Sequence, residues 1–389
     1  MLHLLARRKI ILARRYGRLV SDSVPPAERG QGTMNHTEPQ SLIIEHDDPI
    51  LITGAAGFIG LPVVENLLER GFSNLRCFTR SKGAARLATL AARYPRSRVE
   101  IIQGNLLSRD DCRTAAKGAA VIFHLAAGRG EKLVPDAFLN SVVTTRNLLE
   151  ACVQQKCLRR FVNISSFTVY TNSGKTRWRA LDESCPVESH PELRGDAYTY
   201  AKVKQDEMVA DYGKKFGIPY ILVRPGYVYG TDGKGALTNR VGIGTFGLFL
   251  HLGGSTQIPL SYVDNCAEAI VLAGLTPGVD GEVFNVVDDD LPSSRKLLRL
   301  YKRNVKRFKS LYVPKAASYL LCYLWELYSG WSEGQVPLAF NRKAWHAFWK
   351  TTSYSNQKLK TRVGWSQIVP TKEALRRYFE ACRMGGVNA

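Results

Sequence analysis

Tyr198 and Lys202 stand four residues apart in Tyr198-Thr199-Tyr200-Ala201-Lys202, which reads as the opening of a helix reaching about Phe216. That spacing puts a phenol and an ammonium on one helix face, a turn from each other. A free tyrosine titrates near 10, so service as a base near neutrality requires a shift of roughly three units, about 4 kcal/mol. A neighbouring cation is one supplier of such a shift. A second segment, Phe161-Val162-Asn163-Ile164-Ser165-Ser166, reads as an apolar strand ending in hydroxyls. Ser166 would hold a substrate oxygen while Tyr198 exchanges a proton with it. Tyr200 and Lys204 repeat the spacing. Ala201 before Lys202 leaves room for close packing where Val203 before Lys204 does not, and Asp206 falls one turn beyond Lys202, so the Tyr198/Lys202 register is preferred. Taken alone, the spacing favours an exposed helix with solvated lysines.

The elements around these residues decide the matter. Pro49-Ile50-Leu51-Ile52-Thr53 is a strand running into Gly54, Gly57 and Gly60, followed by an amphipathic helix over roughly Phe58 to Arg70. Gly54 permits a tight turn, Gly57 lets a pyrophosphate approach, and Gly60 lets the helix lie close to the strand. The helix N-terminus then offers N–H groups to the anion. The second strand, Leu75–Thr79, is followed by Arg80, with Lys82 nearby, where an NAD-preferring site carries Asp or Glu for the ribose hydroxyl. A guanidinium suits a 2′-phosphate, so the expected cofactor is NAD(P), with NADP(H) favoured over NAD. A third segment, Arg224-Pro225-Gly226-Tyr227-Val228-Tyr229-Gly230, follows the strand Tyr220–Val223. With a nicotinamide present, the cofactor carries the hydride and the side chains handle the proton.

In this order, these motifs resemble the extended short-chain dehydrogenase/reductase family, the epimerase/dehydratase group with 3β-hydroxysteroid dehydrogenase-like relatives. The resemblance runs from about Pro49 to Phe379. It rests on Thr53–Gly60, His124-Leu125-Ala126-Ala127, Asn140 ahead of Asn147–Ala151, Ser165-Ser166, Tyr198/Lys202, Arg224-Pro225-Gly226 and Tyr262-Val263-Asp264-Asn265. It implies Ser166, Tyr198 and Lys202 as a catalytic triad, with Asn140 in support. It implies cofactor contacts at Gly54, Gly57, Phe58, Ile59, Gly60, Arg80, Asn105, Leu106, Ala126, Ala127, Tyr198, Lys202, Pro225 and Val228. Two positions depart from the pattern. Asn105 stands where the family often has an Asp contacting adenine, which alters that contact, and Val143 stands where a Gly is usual.

At 389 residues the chain exceeds one ordinary domain. Eight cysteines at unpatterned positions form no C-x-x-C, so the sequence offers no zinc signature and no disulfide framework, which fits a reducing, cytoplasmic compartment. No histidine spacing points to a metal. The net charge of +20 is uneven: residues 1–33 carry 7 Lys/Arg and 2 Asp/Glu, residues 291–389 carry 19 and 4, and residues 34–290 carry 28 of each. The neutral body argues against nucleic acid as a partner. Residues 1–15 are basic and apolar, as in a transit peptide or a surface helix, or form an extension upstream of Met34. Near the other end, Lys302–Lys309 precede an apolar segment, Leu311 to Trp331, whose uncharged run of ten residues is too short to span a bilayer. That pairing fits either peripheral contact with an anionic membrane or a buried helix with a solvated basic flank. Trp345, Phe348, Trp349 and Tyr354 form an aromatic set for packing or for a substrate entrance.

Strands near 50, 76, 100, 121, 161, 220 and 283 alternate with helical stretches. The expected fold is α/β, a Rossmann-type doubly wound parallel sheet with a smaller, discontinuous C-terminal substrate lobe. The expected parts are an extension (1–46), an NAD(P)-binding domain (47–290, with 226–259 contributing to the lobe) and a basic, aromatic-rich lobe (291–389). The leading functional expectation is hydride transfer at a secondary alcohol or ketone carbon of a small molecule, a nucleotide-linked sugar. The alternative is a 3β-hydroxysteroid- or isoprenoid-type dehydrogenase acting on a membrane-borne substrate. Dehydratase chemistry is disfavoured because Phe167 and Thr168, rather than acids, follow Ser166. A non-catalytic dinucleotide sensor is disfavoured by the presence of both Tyr198 and Lys202. A homodimer through the helices near 140 and 205 is expected from the resemblance.

Overall fold

Apolar runs too short for helices, punctuated by glycine and by stretches with helical period, build a sheet with helices on both faces. The computed structural model describes residues 41–385 except 81–82, 129–132, 174–178, 233–234, 236, 246, 334, 337 and 339. The first half of the sheet comprises β1 (Ile50–Thr53), α1 (Gly60–Glu69), β2 (Asn74–Thr79), α2 (Ala84–Ala91), β3 (Arg98–Gln103), α3 (Arg109–Ala116) and β4 (Val121–His124). The second half continues through α4 (Val134–Ala137), a π-helical turn (Phe138–Val143), α5 (Thr144–Cys152), β5 (Arg160–Ile164), α6 (Ala197–Phe216) and β6 (Tyr220–Pro225). Then come β7 (Tyr227–Tyr229), β8 (Gly242–Thr245), β9 (Leu248–His251), β10 (Leu260–Tyr262), α7 (Val263–Leu275) and β11 (Val283–Val286). The last stretch holds α8 (Ser294–Asn304), β12 (Ser310–Tyr312), α9 (Lys315–Trp331), α10 (Arg342–Phe348), α11 (Gln357–Val363) and α12 (Thr371–Met384).

The central sheet has seven parallel strands in the order β11-β6-β5-β4-β1-β2-β3. This is the doubly wound arrangement expected from the sequence. Each β1 side chain is buried because helices cover both faces. Ile50 and Ile52 point to the side packed by Val63 and Leu67 of α1 and Ile270 of α7. Leu51 and Ile122 point to the side packed by Cys112 of α3, Leu148 of α5 and Val209 of α6. The strand order reverses between β1 and β4, and a ligand crevice forms beyond the carboxyl ends of such a pair.

The smaller part draws on two stretches of chain. Val241, Ile258 and Leu260 pack with Leu297, Tyr301, Leu375, Tyr378 and Phe379, and β12 pairs with β9. Residues 291–389 are nevertheless divided: Leu359, Val363 and Trp365 belong to the core beneath the main sheet. Two boundaries need correction. Residues 41–46 belong to the fold rather than to an extension, since Ile43 N donates to Leu275 O at 3.1 Å, Ile44 is buried, and His46 stacks on Phe72 at 4.9 Å. Strand β6 runs on through Arg224 and Pro225, because Gly226 N still bonds Val286 O of the edge strand. Residues 1–33, with their basic apolar start, lie outside the described residues.

Candidate active site

The turn after β1 fixes the floor of the site. Gly54 has φ +69°, a left-handed conformation that a side chain resists, and a Cβ there would come within 2.9 Å of Ala126 N. A Cβ on Gly60 would lie 2.1 Å from Gly54 O, so α1 meets the turn backbone to backbone. No side chain caps the N-terminus of α1; Leu61 N donates to Gly57 O at 3.1 Å and Val63 N to Ile59 O at 3.2 Å, so what the turn offers an anion is the positive end of the helix dipole.

Two joined clefts open above this turn, sharing Gly54, Gly57, Leu125, Ala127 and Gly128. One, of about 680 Å³, is lined by Arg80, Asn105, Leu106, Ala126, Asn140 and Thr144, and also by Arg86 and Gly83. The other, of about 560 Å³, is lined by Phe58, Ile59, Gly60, Ser166, Tyr198, Lys202, Pro225 and Val228, and beyond them by Thr168, Tyr227, Asn239, Arg240 and Phe348. Every site residue named from the sequence therefore reaches one of the two clefts, except Lys82, which lies outside the described residues. The first cleft carries two guanidinium groups and, among the described residues, no carboxylate. Its shape and donors fit the adenosine half of a dinucleotide, with the turn at the pyrophosphate and the second cleft at the nicotinamide.

Helix α6 starts at Asp196, whose Oδ1 accepts from Tyr198 N at 3.1 Å. This cap places Tyr198 in the first turn, facing the cleft, and Lys202 one turn further in. Lys202 is buried; its Nζ donates to Ile164 O at 2.7 Å and to Gln205 Oε1 at 2.8 Å. Two of its three N–H donors are thus committed and the ammonium is fixed in place. Burial lowers its pKa to about 8, partly opposed by Asp206, so it remains mostly a cation at neutrality. The competing register is on the solvent side: Lys204 Nζ pairs with Glu207 at 2.8 Å, and neither Tyr200 nor Lys204 lines a cleft.

The two serines after β5 divide their work. Ser165 Oγ donates to Asp206 Oδ2 at 2.8 Å, whereas Ser166 extends into the cleft and its Oγ accepts from Thr168 N at 3.3 Å. Phe167 turns away and stacks on Tyr354.

A buried chain of hydrogen bonds ties Lys202 to the glycine turn. Gln205 Nε2 donates to Thr145 Oγ1 at 2.7 Å, and Thr145 Oγ1 donates to Ser141 O at 2.6 Å. With that hydroxyl proton committed, His124 Nε2–H must donate to Thr145, 2.9 Å away. His124 Nδ1 then accepts from Thr53 Oγ1 at 2.8 Å, and Thr53 Oγ1 accepts from Ala126 N at 3.4 Å. Burial, helped by the charge of Lys202, pushes the His124 pKa down to about 3. The histidine is therefore a neutral strut.

Some contributors gave no signal in the sequence. Arg86, Gln205 and Arg240 belong to no motif. Arg240 Nη1 donates to Ala347 O at 2.8 Å, and its guanidinium lies 5.0 Å from the centre of the Phe348 ring, with Arg194 on the same ring at 5.3 Å. Of the aromatic set, Phe348 lines the cleft. Trp345 and Trp349 pack inward, with their indole N–H groups on Ser318 Oγ and Asn239 O. Asn140 sits in the π-helical turn, where its carbonyl accepts from Thr144 Oγ1 at 3.0 Å; such turns recur at functional sites. Asn105 Oδ1 accepts from Leu107 N at 3.0 Å, leaving its amide nitrogen as the group to meet a base.

Comparison with known proteins identifies the family. Residues 50–286 match the model of the NAD dependent epimerase/dehydratase family. A trifunctional UDP-glucose 4,6-dehydratase/UDP-4-keto-6-deoxy-D-glucose 3,5-epimerase/UDP-4-keto-L-rhamnose-reductase of Arabidopsis thaliana is 29% identical over 255 residues, 61% of this chain and 36% of that protein. A 3 beta-hydroxysteroid dehydrogenase/Delta 5→4-isomerase of Mycobacterium tuberculosis is 30% identical over 242 residues, 60% of this chain and 61% of that protein. The matched stretch is thus about a third of the first relative's length and three fifths of the second's. Among solved structures, UDP-glucuronic acid 4-epimerase from Bacillus cereus superposes with a TM-score of 0.62 at 21% identity, covering 86% of this chain and 99% of that one, which shows a shared fold. With its seven-stranded parallel sheet and glycine turn, the chain belongs to the NAD dependent epimerase/dehydratase family, within the extended short-chain dehydrogenases/reductases.

Proposed function

We propose that the protein is an NADP(H)-dependent oxidoreductase acting at a secondary alcohol or ketone carbon, with Ser166, Tyr198 and Lys202 as its catalytic residues. The observation that carries this is the convergence of Tyr198, Ser166 and a buried, cationic Lys202 on the cleft wall facing the Gly54–Gly60 turn. Ser166 Oγ holds the substrate oxygen, and Tyr198 transfers the proton to or from it. Lys202 favours the tyrosinate electrostatically, and its remaining N–H is available to a ribose hydroxyl. Asn140 supports the cofactor side from the π-helical turn. The bound nicotinamide supplies or accepts the hydride. Arg80 and Arg86, with no carboxylate lining that cleft among the described residues, support NADP(H) over NAD.

The leading substrate is a nucleotide-linked sugar. The names of the UDP-sugar relatives support it, as does Arg240, a cation at the far end of the cleft suited to a phosphate. A second reading, a hydroxysteroid or isoprenoid alcohol drawn from a membrane, is favoured by the apolar face that α9 leaves uncovered. A homodimer would use the exposed Val134, Phe138 and Leu139 beside α6.

Mass spectrometry of the nucleotide released on denaturing freshly purified protein tests the cofactor. NADP(H), or an empty site that takes it up on titration, supports the proposal. Retained NAD⁺ would overturn the reading of Arg80 and point to an epimerase that recycles its hydride internally.

A further inference from the structure

Helix α9 carries its apolar residues on the wrong side for a protein surrounded by water. The face packed on α10 presents Ser318, Cys322 and Ser329, which are 3%, 4% and 6% exposed. Ser318 Oγ donates to Lys315 O and accepts from Trp345 Nε1, and Ser329 Oγ donates to Val336 O, so these polar groups are satisfied inside. The opposite face presents Leu320, Leu321, Leu324, Leu327, Tyr328 and Trp331, between 49% and 80% exposed. A lone exposed leucine needs no explanation, but a continuous stripe of this kind marks an interaction surface. Glu326, the acid within the helix, is paired with Arg342 at 2.7 Å.

What lies beside the stripe identifies its occupant. Between Asp290 and Glu326 the chain has nine Lys/Arg and no Asp or Glu. Arg295, Lys296, Arg299, Arg303, Lys306, Arg307 and Lys309 are exposed, and none of the seven is in an ion pair among the described residues. This basic belt is physically continuous with the stripe. Arg295 lies 5.4 Å from the Tyr312 ring and Lys302 Nζ donates to Ser310 Oγ at 2.5 Å, which ties α8 to β12; the exposed Leu311 and Tyr312 then lead straight into α9. A second copy meeting this face through a two-fold axis would set belt against belt. Residues 1–33 are themselves basic, with 7 Lys/Arg and 2 Asp/Glu, and offer the belt no complementary charge. A flat anionic surface with an apolar interior satisfies both halves. No helix among the described residues is long and apolar enough to cross a membrane, so α9 would lie in the plane of the interface, with Tyr323, Tyr328 and Trp331 at headgroup level.

We propose that the leucine face of α9 and the basic belt of residues 295–309 dock this protein peripherally on an anionic phospholipid bilayer. Because α9 packs on α10, whose Phe348 lines the substrate cleft, docking sets the substrate end of the cleft close to the lipid surface. The proposal is independent of the substrate and of the catalytic residues.

Cosedimentation of the full chain with phosphatidylcholine vesicles, with and without phosphatidylserine, tests it. The expected result is salt-sensitive binding to the phosphatidylserine vesicles and little to phosphatidylcholine alone. Arg303→Gln/Arg307→Gln/Lys309→Gln should weaken partitioning by about 100-fold, on the basis of roughly fivefold for each of the three cations near such a surface. Leu324→Glu/Leu327→Glu should abolish binding, with NADP(H) affinity unchanged in both variants as evidence of folding. Failure to sediment with either vesicle would overturn the proposal, as would equal binding to both. A dimer that Leu324→Glu/Leu327→Glu dissociates would assign the face to a second copy instead.

Discussion

Asp206 on α6 and Arg224 at the end of β6 form a buried ion pair, Oδ2 to Nη2 3.0 Å, each side chain 6% exposed. The same carboxylate accepts from Ser165 Oγ at 2.8 Å and from Asn163 Nδ2 at 3.2 Å. One side chain therefore joins the helix that presents Tyr198 and Lys202 to the strand ends that present Ser166 and Pro225. Arg224 also stacks on Tyr170, 4.8 Å to the ring centre, whose hydroxyl donates to Asn285 on the edge strand.

Removing one partner of such a pair strands the other charge. Asp206→Ala should cost about 3–5 kcal/mol in urea unfolding, well beyond the loss of one ordinary hydrogen bond. A loss under about 1 kcal/mol would mean that the pair does not hold the helix against the sheet.

His124 makes stability depend on pH in a defined window. Held at about 3 in the folded protein and near 6.5 in the unfolded chain, it takes up its proton on unfolding anywhere between those values. Its contribution is complete above about pH 6.5 and falls on acidification by about 1.4 kcal/mol per pH unit. Unfolding curves measured from neutrality down to about pH 5 should be steeper in pH for the wild type than for His124→Asn by about one proton. Equal slopes would mean that the buried imidazole takes up a proton in place.

Arg80 and Arg86 set cofactor choice if the 2′-phosphate lies between them. Changing both to serine should weaken NADPH binding by about 100-fold, taking roughly tenfold per charge-assisted contact, and leave NADH binding within a few-fold. Parallel losses for both nucleotides would place the pair elsewhere on the cofactor.

The parts of this site that the sequence made legible are those whose chemistry is local. The Gly54–Gly60 turn, the Ser165-Ser166 strand end and the Tyr198/Lys202 turn each declare themselves within a few residues, since backbone conformation and helical spacing are local properties. That the sheet is parallel and covered on both faces follows from the alternation of strands and helices, whereas the order of its seven strands does not. Arg86, Gln205 and Arg240 were not legible, because each reaches the site through packing between segments far apart in the chain. Gln205 accepts from Lys202, three residues before it, but becomes part of the network only through Thr145, sixty residues earlier, which accepts from it. Composition likewise marked Leu311–Trp331 as apolar but left open which side faces the protein. Ser318 and Trp345 settle that, through a bond across 27 residues. The π-helical turn at Asn140 had no sequence counterpart, and nothing in the structure explains why Val143 replaces the usual glycine.

The central claim is that Tyr198 exchanges the proton while most of the cofactor's contacts come from other residues of the two clefts. Its most direct test is Tyr198→Phe assayed on whichever ketone or keto-sugar the wild type reduces with NADPH, with NADPH affinity measured on the same preparation. The account predicts turnover lowered by about 10³-fold or more, with cofactor affinity nearly unchanged. Turnover within a few-fold of wild type would contradict it and move the proton-transferring group elsewhere in the cleft.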